Sequence, residues 1–214
     1  PSSPAPTAST ITISMAANVV TDSGGQGNTI ASSITVVTSA TLAAPDISYP
    51  SSSYTLTYGT PISVISPSNS GGIIASWSGT VPSGFSLDAA TGDITGTPTG
   101  VASSTSYSIT ATNATGSSSY SISFTVNRRP ITVTATAKTK TEGDPDPTLT
   151  YSITTGSLYS SDTLTGTLTR TSGENASGGP YAINQNTLTS GNNPNYTISY
   201  VSANLTISAA PAPS

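Results

Sequence analysis

Along much of the chain large apolar residues alternate with hydroxyl-bearing ones, and no stretch keeps an apolar period of 3.6 for more than about ten residues, so strands are expected and helices are not. The pattern is clearest in Ser106-Tyr107-Ser108-Ile109-Thr110-Ala111 and in Tyr120-Ser121-Ile122-Ser123-Phe124-Thr125-Val126. In each, the large side chains share one face and the hydroxyls share the other, as in half-buried antiparallel strands. Asn113-Ala114-Thr115-Gly116 between them reads as a hairpin turn. Turn signals such as Gly24-Gly25, Gly71-Gly72, Thr91-Gly92-Asp93 and Gly178-Gly179-Pro180 recur at the spacing expected of an all-β sandwich or barrel.

The chain divides into four parts. Residues 1–43 open on Pro1-Ser2-Ser3-Pro4-Ala5-Pro6 and then offer two strand candidates, marked by Ile11, Ile13 and Met15 and by Ile34 and Val36. Two strands cannot form a core alone, so they are expected to pack on a neighbouring module, to end a preceding one, or to add to the sheet of another copy as a donor strand. Residues 44–127 and 128–208 form two β-rich units, and 209–214 is a Pro/Ala/Ser tail of the kind that joins modules in arrays. Arg129 to Ala135 opens a strand of the second unit, and Asn195–Tyr200 and Asn204–Ile207 supply later ones.

Composition narrows the chemistry. Ser and Thr make up about 37% of the 214 residues, only 7% are charged, and His and Cys are absent. No Ser-His-Asp triad, thiolate nucleophile, His-ligated zinc or disulfide framework is therefore available, and no enzymatic role or cofactor is expected. Asp22, Asp46, Asp88 and Asp93 are the only charges before Arg128, and the charges from there onward cancel, which gives a net charge of −4. Without a basic stripe, nucleic acid is not an expected partner. No apolar run reaches the roughly 18 residues of a membrane span. The chain begins at Pro1 with no signal peptide or initiator Met, and reads as a processed or excerpted piece. A low-charge, Ser/Thr-rich composition suits an extracellular or cell-surface protein.

Several strings resemble known families. Tyr54 to Ser66, Gly71-Gly72, Ser76-Trp77-Ser78, Pro82 to Asp88, Thr91 to Pro98 and Tyr107 to Asn113 resemble the immunoglobulin-like repeat of bacterial surface proteins. The glycines and proline of Pro82 to Pro98 suit tight turns around two short strands. Glu142-Gly143-Asp144 to Tyr151, Ser161 to Gly166, and Asn195 to Ile207 resemble the MBG domain of bacterial adhesins, with Glu142 where that family usually has Tyr. The resemblances imply a β-sandwich followed by a small β-rich module, Ig-like or β-grasp-like, serving as spacer or adhesion units.

Individual residues have competing roles. Trp77 and Phe124 are expected in the core, although Trp77 or the tyrosines at 49, 54, 58, 107 and 120 could instead stack a sugar. Lys138 and Lys140 lie two apart, on one face of a strand near Glu142, and are either edge-strand lysines or, less expectedly, one end of an isopeptide bond. Asp88 and Asp93 suit turns better than a glycosidase pair. Asp144, Asp146 and Asp162 lack an EF-hand spacing for calcium. Asn113, Asn175, Asn195 and Asn204 begin Asn-X-Ser/Thr triplets, and Asp162-Thr163-Leu164 resembles a short bacterial O-glycosylation signal. The resulting expectation is a non-enzymatic surface protein, a stalk module or filament subunit that self-associates head-to-tail by β-strand addition. The alternative is an adhesin or carbohydrate-binding module that meets a glycan or a host-cell surface.

Overall fold

The computed structural model describes residues 43–212. Ile11, Ile13, Met15, Ile34 and Val36 lie outside the described residues. Within 43–212 the fold is all-β, with no α-helix and one 3-10 turn, Ala176–Gly178.

The first module contains β1 (Ile47–Ser48), β2 (Ser53–Thr57), β3 (Ser68–Asn69), β4 (Ser76–Gly79), β5 (Phe85–Leu87), β6 (Ile94–Gly96), β7 (Ala102–Asn113) and β8 (Gly116–Asn127). Its main sheet has the order β2-β8-β7-β4. Strands β7 and β8 form the long hairpin that the alternation predicts. Ile109, Ala111, Ile122, Phe124 and Val126 point inward and are buried. On the outer face hydroxyls pair across the strands, Ser106 with Ser123 and Thr110 with Ser119, each at 2.8 Å. The turn is fixed by Asn113, whose Oδ1 accepts from the Thr115 and Gly116 amides at 2.9 and 3.1 Å. The facing layer consists of short pieces, the pairs β1-β3 and β5-β6 and a bridge from Ile65 to Ile94. Strands β5 and β6 are the two short strands expected within Pro82 to Pro98.

The second module contains β9 (Arg129–Ala135), β10 (Lys138–Thr141), β11 (Tyr151–Thr155), β12 (Thr169–Arg170), β13 (Tyr181–Asn184), β14 (Tyr196–Val201) and β15 (Ala203–Ser208). These form two sheets, β11-β9-β14 and β10-β15-β13-β12. In β9, Ile131, Val133 and Ala135 face the core, while outward Thr134 meets Thr154 at 2.8 Å between hydroxyls. Strand β8 ends at Asn127 and β9 begins at Arg129, so Arg128 alone joins the modules.

The cores are not independent of each other. One cluster, containing Trp77, Ile94, Ile109, Ile122 and Phe124, belongs to the first module. A second places Tyr58 and Val126 of the first module among Ile131, Val133, Leu188 and Tyr196 of the second.

Candidate functional site

The densest meeting of polar and aromatic side chains is the joint between the modules. Tyr58 follows β2 and is buried to 4% exposure. Its ring meets Tyr159 and Tyr196 edge-on, at centroid distances of 5.4 and 5.7 Å. Its hydroxyl donates to Asp162 Oδ2 at 2.9 Å, and the Tyr196 hydroxyl donates to the same oxygen at 2.5 Å while accepting from the Tyr159 amide at 2.9 Å. Edge-on rings contribute beyond their buried area, and a carboxylate accepting two phenols makes charge-assisted bonds. Burial, then the Asp162 hydrogen bond, raises the pKa of Tyr58, and the same two causes push Tyr196 up to about 12.

Two further residues complete the joint. Arg129 donates through Nε to Ser157 O at 2.8 Å and through Nη1 to the Tyr58 and Gly59 carbonyls at 3.4 and 3.3 Å. Gly59 has φ +69, and a Cβ there would lie 2.5 Å from Tyr159 Cγ, so only glycine lets the two surfaces close. The joint offers hydrogen bonding and packing, with no nucleophile-base pair.

A second cluster lies on the second module. Lys140 Nζ contacts Asp146 Oδ1 at 2.8 Å, Glu174 Oε2 at 2.5 Å and the Asp144 carbonyl at 3.1 Å. Arg170 holds Asp146 through two bonds, at 2.6 and 2.9 Å, also pairs with Glu174, and lies over the Tyr181 ring. Strands β10 and β12 occupy opposite ends of their sheet, so one pair of carboxylates ties its two edges. Hydrogen bonds from Arg170 and then Lys140 hold Asp146 down to about 2. Those from Asp146 and then Glu174 raise Lys140. Lys140 and Asp146 thus meet as an ion pair shared with Arg170 and Glu174. Lys138 is half-buried on the same edge strand.

The remaining residues singled out from the sequence fall as follows. Trp77, at 7% exposure, packs edge-on to Tyr49 at 6.5 Å. Phe124, at 1%, stacks on Tyr54 at 5.6 Å. Tyr107 and Tyr120 are half-buried against the same core. Asp88 caps its turn through the Ala90 and Thr91 amides, and Asp144 accepts from the Thr141 amide. Asn113 is buried, with its amide donating to the Ala43 and Ile73 carbonyls. Thr163 is exposed beside the joint. Among the described residues no group of three or more acidic side chains is placed to hold a metal ion, and no helix is long and apolar enough to cross a membrane.

Sequence reasoning did not find the joint, although the absence of any linker between Asn127 and Arg129 was a signal for it. Residues 40–129 match the family model described as "Putative Ig domain", and residues 131–206 match that of "MBG domain (YGX type)". The chain is an Ig-type domain followed by an MBG domain. The one residue between the two matched segments, Pro130, lies in β9 directly after Arg129. No curated protein matches the chain. Solved structures similar to it include a putative alpha-galactosidase from Bacteroides fragilis, 21% identical over 45% of this chain and 22% of that chain, with a TM-score of 0.34. The titin I-band fragment I67-I69 is 15% identical over 78% of this chain and 66% of that chain (TM-score 0.35). Human protocadherin-24 EC1-2 is 10% identical over 78% and 99% (TM-score 0.36). All three TM-scores are below 0.5, a level at which likeness between β-rich chains is not diagnostic. Ig-like and MBG domains are structural or adhesion modules and fit a bacterial surface protein.

Proposed function

We propose that this Ig–MBG pair is a non-enzymatic stalk segment of an extracellular bacterial surface protein, in which the joint fixes one module on the other. The supporting observation is the shared core across the boundary: Tyr58 of the Ig domain sits among Tyr159, Tyr196 and Asp162 of the MBG domain, with Arg128 as the only connecting residue. Flexible arrays use polar linkers instead. A glycan-binding role would need exposed aromatics in a groove, and Trp77, Tyr49 and Tyr58 are buried in packing.

The same reading includes head-to-tail assembly, with strands from residues 1–43 adding to a sheet edge of the next copy. The alternating apolar residues around Ile11 to Met15 and Ile34 to Val37 support it, and so does the place of β2 as an end strand of its sheet among the described residues. Such a contact does not close on itself and gives a fibre. Electron microscopy of the full chain, beside a chain lacking residues 1–42, tests this; Ala43 is kept because its carbonyl binds Asn113. Filaments that disappear on truncation are expected. Discrete single rods from both chains would overturn strand addition, and flexible two-bead particles would overturn the fixed joint.

A further inference from the structure

In both modules the first long strand and the last strand lie side by side and parallel. In the Ig domain β2 runs along β8 from Ser53 opposite Ser123 to Thr57 opposite Asn127. Backbone bonds extend the ladder at both ends, Ser123 N to Ser52 O at 2.8 Å and Tyr58 N to Asn127 O at 2.9 Å. In the MBG domain β9 pairs with β14 from Arg129 opposite Tyr196 to Thr134 opposite Val201. Strand β10 then pairs with β15 from Lys138 opposite Leu205 to Thr141 opposite Ser208. The offset is 67 residues at all four positions, since 196 − 129, 201 − 134, 205 − 138 and 208 − 141 are equal. The entering strand β9–β10 and the leaving strand β14–β15 therefore cross from one sheet to the other together without slipping register. A bond from Glu142 N to Ser208 O at 2.8 Å closes the run.

This arrangement has a mechanical meaning. Tension on a module's N-terminal side drags its first strand toward that strand's own start, and tension on the other side drags the last strand toward its own end. In a parallel pair those directions are opposite along one axis, so the ladder is loaded lengthwise and its bonds share the force. Were the two strands antiparallel, both loaded ends would lie at the same end of the pair, and the bonds would open one at a time. Resistance to forced unfolding is set by the unfolding rate, which depends on how many bonds must yield together.

We infer that this chain is built to carry tension from end to end, borne by the β2–β8 pair in one module and by the β9–β10 and β14–β15 pair in the other. The purpose of that load path rests on the stalk reading, whereas its mechanics rest on strand direction alone. Between the modules the load passes through Arg128, flanked by the Tyr58–Asp162 bond and the grip of Arg129 on the Tyr58 and Gly59 carbonyls.

The chain has no cysteine, so two introduced ones give unique handles. Arg128, Pro194 and Ala209 are exposed. In the full chain, Arg128→Cys with Ala209→Cys pulls the MBG domain end to end. Arg128→Cys with Pro194→Cys pulls β9 and β14 apart from their adjacent starts. Single-molecule force spectroscopy at one pulling speed should give a rupture force several-fold higher for the first pair than for the second, with both proteins melting at the same temperature. Equal forces, or a weaker end-to-end pull, would overturn the inference. Either result leaves the microscopy test of the stalk reading untouched, so the two fail separately. If a substitution at Arg128 unfolds the domain, Asn127→Cys, exposed and one residue earlier in the chain, replaces it in both pairs with the same expectation.

Discussion

Asp162 receives two phenolic hydroxyls on one oxygen, and one of them belongs to the other module. Asp162→Ala leaves both donors without that acceptor, and an unmet buried donor costs about 1–3 kcal/mol. Tyr58→Phe removes one donor and keeps the ring, so its cost is about 1 kcal/mol. Urea denaturation should rank the two variants in that order, and an Asp162→Ala midpoint equal to wild type would show that the bonds contribute nothing. The phenols also set an alkaline limit. Burial first, with Asp93 beside Tyr49 and the Asp162 bond at Tyr196, holds both hydroxyls near 12, against 10 when unfolded. A raised pKa contributes stability that is complete below about pH 10 and is lost as pH climbs toward 12. After solvent screening the loss is on the order of 1–2 kcal/mol per tyrosine. Urea midpoints measured from pH 8 to 12 should fall across that window and stay flat below it. None of this was readable locally: the partners of Asp162 lie 104 and 34 residues away, and the Ser-Asp-Thr around it looks like any turn.

The strands themselves were far more legible. Arg129–Ala135 is a strand over the span its alternation gave, and the Tyr107 and Tyr120 strings lie within β7 and β8, joined at the expected turn. These strands have one buried and one wet face, which writes a period of two into the sequence. The short strands β1, β3 and β12 carry only two residues each, too few for any period. Strand-scale packing makes Phe124→Ala the most damaging single truncation in the Ig domain. Its ring meets Tyr54, Phe85 and Tyr107 at 5.6, 5.5 and 6.0 Å, and an aromatic cut from such a site costs about 3–5 kcal/mol. Thermal melting of that variant should drop the Ig transition first; an unchanged transition would contradict the packing described. The cluster tying β10 to β12 makes an opposite, acid-side prediction. Asp146 is held near 2 against 3.8 unfolded, so its modest contribution is complete above about pH 4 and is lost toward pH 2. Because Asp146 is largely exposed, Asp146→Asn should flatten that acid slope with only a small change at pH 7.

At the scale of the two modules, one connecting residue and a shared core bring them into direct contact, which the stalk reading takes as a fixed relation. Gly59→Val puts a β-branched side chain at φ +69 and against the Tyr159 ring. Small-angle scattering should then show a broader distribution of end-to-end distances, with each module's own melting transition nearly unchanged. A variant as stiff as wild type would place the stiffness elsewhere. The order of the two domains was visible in the turn strings, but the joint was not, because it arises from surfaces that meet only after each module has folded. The pairing of first strand with last also bears on when each module can close. Strand β2 waits for β8, 70 residues further on, and β9 waits for β14, 67 residues further on, and contacts this distant in sequence form slowly. A chain that emerges N-terminus first during synthesis thus leaves each module unfinished until its last strand has appeared. The closing strand of each module is also its final one, so a chain cut short anywhere before it leaves the first long strand without its partner.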